Sequence, residues 1–175
     1  GTVYDPFVLR GLDALIYGVY SGSRFIVAGT PSGVTLAAEG GAHQSTVTAS
    51  VGLELPGLTL IEPAYGVALD WLLRDAVART AGAIHEQQTA GPSDDGAFYF
   101  RLTTRPLDQA PFEAARARLG DTVLRRAVLS GGYRLVEPAD HGLAAEAPRV
   151  HKVASGAVLP EALEAAYELA SEGIA

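Results

Sequence analysis

The sequence predicts an α/β fold, a parallel sheet with flanking helices. Short, continuous apolar runs at 24–28 (RFIVA), 58–61 (LTLI) and 97–102 (AFYFRL) have the composition of strands covered on both faces. Between and around them, apolar residues recur at helical spacing. Strands that alternate with helices imply parallel pairing, because a parallel crossover needs a connection long enough to hold a helix.

Taken in order, Asp5-Pro6 reads as a helix start, an N-cap acceptor followed by a residue whose φ is already helical. From Phe7 to about Tyr20 apolar residues occupy most faces, which predicts a helix buried on most sides. The first strand ends in Gly29-Thr30-Pro31-Ser32-Gly33, a loop signal, and a further helix is expected to begin near Ser45. After the second strand, Pro63 opens a helix from Ala64 to about Arg79, with Asp70–Arg74 and Asp75–Arg79 at i,i+4 in the favourable order. TAGPSDDG at 89–96 is turn chemistry and predicts a surface loop. Residues 111–130 read as one or two helices broken near Gly120, leading into a strand at Tyr133–Val136. Residues 138–148 have little periodicity and are expected to link the first unit, 1–137, to a second one. That second unit, 149–175, reads as a strand at Val150–Ala154 and a Pro160-started helix at Glu161–Leu169.

Composition excludes several classes of function. The chain has 175 residues, 48% of them hydrophobic and 19% charged, which suits one packed domain or one domain and the start of another. A net charge of -7, with Lys152 the sole lysine, argues against a nucleic-acid partner, since neutralising phosphates takes clustered Lys and Arg. No apolar run is long enough to cross a membrane, and no basic-then-apolar leader is seen. With no cysteine the chain has neither a disulfide framework nor a thiolate metal site, and the expected compartment is the cytoplasm. The lack of an initiating methionine predicts a piece of a longer polypeptide.

Candidate chemistry centres on AAEGGAHQST, residues 37–46. Open sheets bind ligands beyond the carboxyl ends of their strands, and this loop leaves the carboxyl end of RFIVA. Glycines let backbone approach a ligand, and His43 can donate a hydrogen bond or shuttle a proton near neutral pH. A histidine that satisfies loop carbonyls or caps the next helix would explain the same spacing. GTPSG at 29–33 misplaces the serine of a nucleophile elbow by one position, and no phosphate loop or dinucleotide fingerprint is present. His43, His85, His141 and His151 lack metal-site spacing, and His85 and His141 fall in expected surface loops. Arg101 and Arg105, near the end of the third strand, are candidates either for an anion or for surface salt bridges.

Several of these strings occur together in one known order. YDPFVLRGLDAL, RFIVAGTPSGVTLAAEGGAHQS, IEPAY with ALDWLL, and YFRLTTRPLDQAPFE resemble the decarboxylating component of the homodimeric bacterial pyruvate dehydrogenase complex. The glutamate, glycine and His43-Gln44 string is also similar to a loop of transketolases, which share fold and cofactor.

The resemblance implies that residues 1–137 are the later part of a domain holding the aminopyrimidine ring of thiamine diphosphate, and that 149–175 begin a carboxyl-terminal domain. It further implies that Phe7 stacks on that ring, that Tyr4 lies at the edge of the site and that His43 faces the substrate carbonyl. Glu39, four residues before His43, is a candidate to orient that loop or tune nearby protonation, an exposed loop glutamate being the commoner case. The expected cofactors are thiamine diphosphate and Mg²⁺, with the diphosphate ligands, the metal ligands and an activating glutamate outside these residues. The expected substrate is pyruvate, and the expected partners are a second copy in a homodimer and a lipoyl-bearing acetyltransferase. Alternatives are transketolase-like ketol transfer, with Arg105 near a sugar phosphate, or an inactive scaffold subunit.

Overall fold

The computed structural model describes residues 1–35, 37–82 and 96–175. The loop expected at 89–96 and His85 therefore lie, but for Gly96, outside the described residues. Four strands, β1 (Thr2–Val3), β2 (Phe25–Gly29), β3 (Leu58–Ile61) and β4 (Ala97–Arg101), form one sheet in the order β1-β2-β4-β3, every pair parallel. All four strands therefore end at the same edge of the sheet. β2 starts and ends one residue later than its sequence pattern, β3 matches, and β4 ends one residue early; β1 is too short to carry a period.

Side-chain alternation divides the core. From β4, Ala97 and Tyr99 point to one face, where they meet Val8, Leu58, Phe25 and Val27. Phe98 and Phe100 point to the other, against Ala76 and Leu72 of helix α3 (Gly66–Thr80). Strand β4 is buried throughout, which is why its sequence is apolar without alternation. A third cluster joins α3 to α4 (Ala110–Leu119) and α5 (Asp121–Leu129) through Tyr65, Ala68, Phe112, Leu124 and Val128. Gly120, at φ 77°, makes the predicted break between α4 and α5. Helix α3 starts at Gly66 rather than at Ala64, with its predicted Asp70–Arg74 pair at 2.8 Å and Asp75–Arg79 at 3.8 Å.

Three expectations are corrected. The first helix is a 3₁₀ segment, Asp5–Gly11, followed by the α-helix α1 (Leu12–Tyr20), and it is not buried on most sides: Tyr17 is 70% exposed and Tyr20 86%. Its apolar residues outnumber the neighbours available to cover them. Tyr133–Val136 forms no strand; Tyr133 and Leu135 instead pack on the helical cluster, while Arg118 donates to the carbonyls of Arg134 and Leu135, both at 3.1 Å. Val150–Ala154 forms none either, and Val153 is 99% exposed. Its one ladder-like contact is Val150 N–H to the Ala175 carbonyl, beside Ala175 N–H to that of Pro148, each 2.7 Å. The helix expected near Ser45 is present as α2 (Thr48–Glu54), and the predicted final helix as α6 (Leu159–Ser171).

The expected linker is partly ordered. Pro138–His141 forms a 3₁₀ turn with a reciprocal cap between Glu137 and Asp140. His141, expected in a surface loop, is half-buried, its ring edge-on to Tyr167 of α6 with centroids 4.8 Å apart. No helix among the described residues is long and apolar enough to cross a membrane.

Candidate active site

The site forms where the strands end. Tyr4 and Asp5 follow β1 directly, the His43 loop follows β2, Glu62 follows β3, and Arg101 is the last residue of β4. The register places Val3, Gly29 and Arg101 in one row across the sheet, so these connections meet along a single line.

The loop is closed at its base. Ser45 N–H donates to the Gly33 carbonyl at 2.8 Å, and Ser32 N–H to the Leu102 carbonyl at 2.8 Å. Two 3₁₀ turns, Ala37–Glu39 and Gly41–His43, are separated by Gly40 at φ 102°, a conformation that a side chain would strain. That reversal turns His43 back toward the start of the chain. The Tyr4 hydroxyl is hydrogen-bonded to His43 Nδ1, with ring centroids 5.6 Å apart and edge-on. Desolvation, with the nearby Glu39 charge second, raises the Tyr4 pKa, so the phenol keeps its proton and has it to donate. With Tyr4 as donor and Nδ1 as acceptor, the ring proton of His43 lies on Nε2. Glu39 Oε2 is 3.8 Å from Nδ1.

Phe7 is 5.4 Å from Tyr4 between ring centroids, and 45% of its surface is exposed. The Arg10 guanidinium carbon lies 5.1 Å from its centroid, so part of one π surface is shared with a cation. The four residues singled out from the sequence, Tyr4, Phe7, Glu39 and His43, are thus gathered into one cluster.

The arginines behave differently from the anion sites considered for them. Arg101 is 5% exposed and is spent internally, on Glu62 at 2.7 Å and the Ser45 carbonyl at 2.7 Å, with its Nε 3.6 Å from Asp5. Arg105 reaches across to residues 157–161, bonding Glu161 at 2.6 Å and the Ala157 carbonyl at 2.8 Å. Among the described residues no three His, Cys, Asp or Glu side chains converge to hold a metal ion.

Sequence reasoning missed Asp5. Instead of capping a helix it is wholly buried, and it accepts hydrogen bonds from the Ser45, Thr48 and Tyr99 hydroxyls. Burial, then the bond to Asp5, holds the Tyr99 pKa well above its usual value, so this phenol donates. The available signal was the hydroxyl of Tyr99 between Phe98 and Phe100, which needs a partner once its strand is buried.

The chain matches no protein-family model. Over 155 residues, 89% of its length, it is 28% identical to the 6-deoxy-6-sulfo-D-fructose transketolase subunit SqwH of Clostridium sp. (strain MSTE9). It spans 38% of that protein's length. The similarity is distant, and it points to the transketolase-like group in general. The parallel α/β architecture is consistent with a fold of that kind.

Proposed function

We propose that the chain is the aminopyrimidine-holding part of a thiamine diphosphate-dependent enzyme that breaks a carbon–carbon bond beside a carbonyl. Pyruvate is the proposed donor, a lipoyl group on an acetyltransferase component the proposed acceptor, and a homodimer the proposed assembly. The observation that carries the reading is the convergence of Tyr4, Phe7 and His43 at the carboxyl edge of a parallel sheet.

The residues present fit one part of the cofactor. A half-open phenylalanine beside a tyrosine offers an apolar π surface to a heteroaromatic ring, which would share that surface with Arg10 or displace it. Its diphosphate and Mg²⁺ would be held by residues beyond those described. When bound, thiamine diphosphate supplies a nucleophilic carbon and an electron sink. His43 Nε2–H would donate to the substrate oxygen on which charge develops, with Tyr4 fixing the tautomer that makes the donation possible. Glu39, more than half exposed, would steady the loop rather than meet the substrate.

Ketol transfer is a second reading, favoured by the similarity to SqwH. Against it, Arg105, the cation considered for a sugar phosphate, is already paired with Glu161. The test uses the full-length protein with thiamine diphosphate and Mg²⁺. Pyruvate-dependent CO₂ release with acetyl transfer to lipoamide supports the first reading. Turnover of a ketose bearing a phosphate or sulfonate supports the second. If both donors fail with cofactor bound, the chain belongs to a scaffold subunit.

A further inference from the structure

Asp5 holds a position that neither cofactor stacking nor proton donation to substrate explains. It is fully buried, and an unsupported carboxyl group there would be costly. Its oxygens instead collect hydroxyl donors from distant segments: Tyr99 on Oδ1, and on Oδ2 Ser45 together with Thr48 at 2.7 Å. Ser45 and Thr48 are themselves 2.6 Å apart through their hydroxyl oxygens. The backbone is shaped to admit this carboxyl group, since a Cβ on Gly29 would lie 1.9 Å from Asp5 Oδ1.

Chain position turns these bonds into a clamp. Tyr4 immediately precedes Asp5 and Phe7 follows two residues later, while Ser45 lies two residues beyond His43. The carboxyl group therefore joins the two segments whose side chains meet in the Tyr4–His43 hydrogen bond. Arg101 steadies the second segment by donating to the Ser45 carbonyl at 2.7 Å, and Glu62 fixes Arg101.

We infer that Asp5 is the positioning residue of this site: by holding Ser45 and Thr48 it sets the separation of residues 4–7 from residues 43–48, and so places the Tyr4 hydroxyl on His43 Nδ1. The role given to His43 in turnover rests on the proposed function, whereas the clamp is a property of these residues alone.

The test reads the imidazole directly. In full-length protein labelled with ¹⁵N-histidine, the His43 signals are assigned by their loss in His43→Gln, and Tyr4→Phe supplies the signature of an Nδ1 that has lost its hydroxyl partner. Asp5→Asn and Ser45→Ala are expected to move the Nδ1 signal to the Tyr4→Phe position. Phe112→Ala, which loosens the remote helical cluster, should leave it in place. Variants that melt earlier yet keep the wild-type Nδ1 signal would overturn the inference. If Asp5→Asn does not fold, Ser45→Ala, which keeps the carboxyl group with its Tyr99 and Thr48 donors, decides by the same criterion. Turnover enters through His43→Ala alone. Unchanged activity there, with the Nδ1 response intact, would remove the proposed function and leave the clamp standing.

Discussion

Gly29→Ala exerts steric pressure on the buried carboxyl group without removing any of its partners. The new methyl would lie 1.9 Å from Asp5 Oδ1, 2.9 Å from its Cγ and 3.0 Å from the Tyr99 ring, all far inside contact distance. The ring is packed in the core and β2 is held by pairing on both sides, so the carboxyl group must yield. Its departure leaves the Tyr99, Ser45 and Thr48 hydroxyls buried without their acceptor. The Ser45 and Thr48 hydroxyl oxygens are 2.6 Å apart, so one of them then donates to the other; two donors stay unpaired at about 1 kcal/mol each or more, a total of about 2 kcal/mol or more and a large share of a domain's stability. Urea unfolding should show a lower midpoint with an unchanged slope. Gly33→Ala is the control: its φ of 75° is strained for alanine, but nothing lies within 4 Å, so the loss should stay near about 1 kcal/mol. A Gly29→Ala loss no larger than that of Gly33→Ala would refute the reasoning.

Other outcomes follow from the same structure. Phe112, in contact with Tyr65, Trp71 and Tyr133, should cost about 3–5 kcal/mol on truncation to alanine, measured by denaturant titration. His43→Ala in the full-length protein should lower kcat about 100-fold while circular dichroism stays unchanged; equal loss of Tm and activity would point to a structural role instead. Burial, with the Asp108 charge second, raises the Tyr65 pKa to about 12. Because the folded value exceeds the unfolded one, the contribution is complete below about pH 10 and is lost as pH climbs toward 12, so Tyr65→Phe should flatten alkaline destabilisation in that window. The Asp121 carboxyl is held below its usual range by its hydrogen bonds from Arg116. A depressed value stabilises above the unfolded pKa and fades as pH falls through the folded one, so Arg116→Gln should reduce acid-side loss of Tm.

Legibility differed by kind of signal. β3 and β4 could be read because strands covered on both faces are apolar without interruption, and α3 because its polar face carries spaced ion pairs. The burial of α1 could not, because composition does not reveal how many neighbours a helix has. Tyr133–Val136 and Val150–Ala154 have strand composition, yet a strand exists only where another lies beside it, a condition no local pattern encodes. At the site, loop chemistry singled out His43 and the resemblance singled out Tyr4 and Phe7, and the fold brings the three side chains together. Asp5 was not: beside a proline it matches a cap so well that a tertiary role is invisible, and its partners lie 40, 43 and 94 residues away along the chain.

That spread of partners has a kinetic meaning. The sheet order puts β4, made last, between β2 and β3, so the strand that supplies Tyr99 and Arg101 inserts between two others rather than adding to an edge. Closing so long a loop is slow relative to helix formation. The Tyr4–His43 contact should accordingly be among the final events in maturation, and a chain stalled before β4 docks would carry every site residue yet have no site.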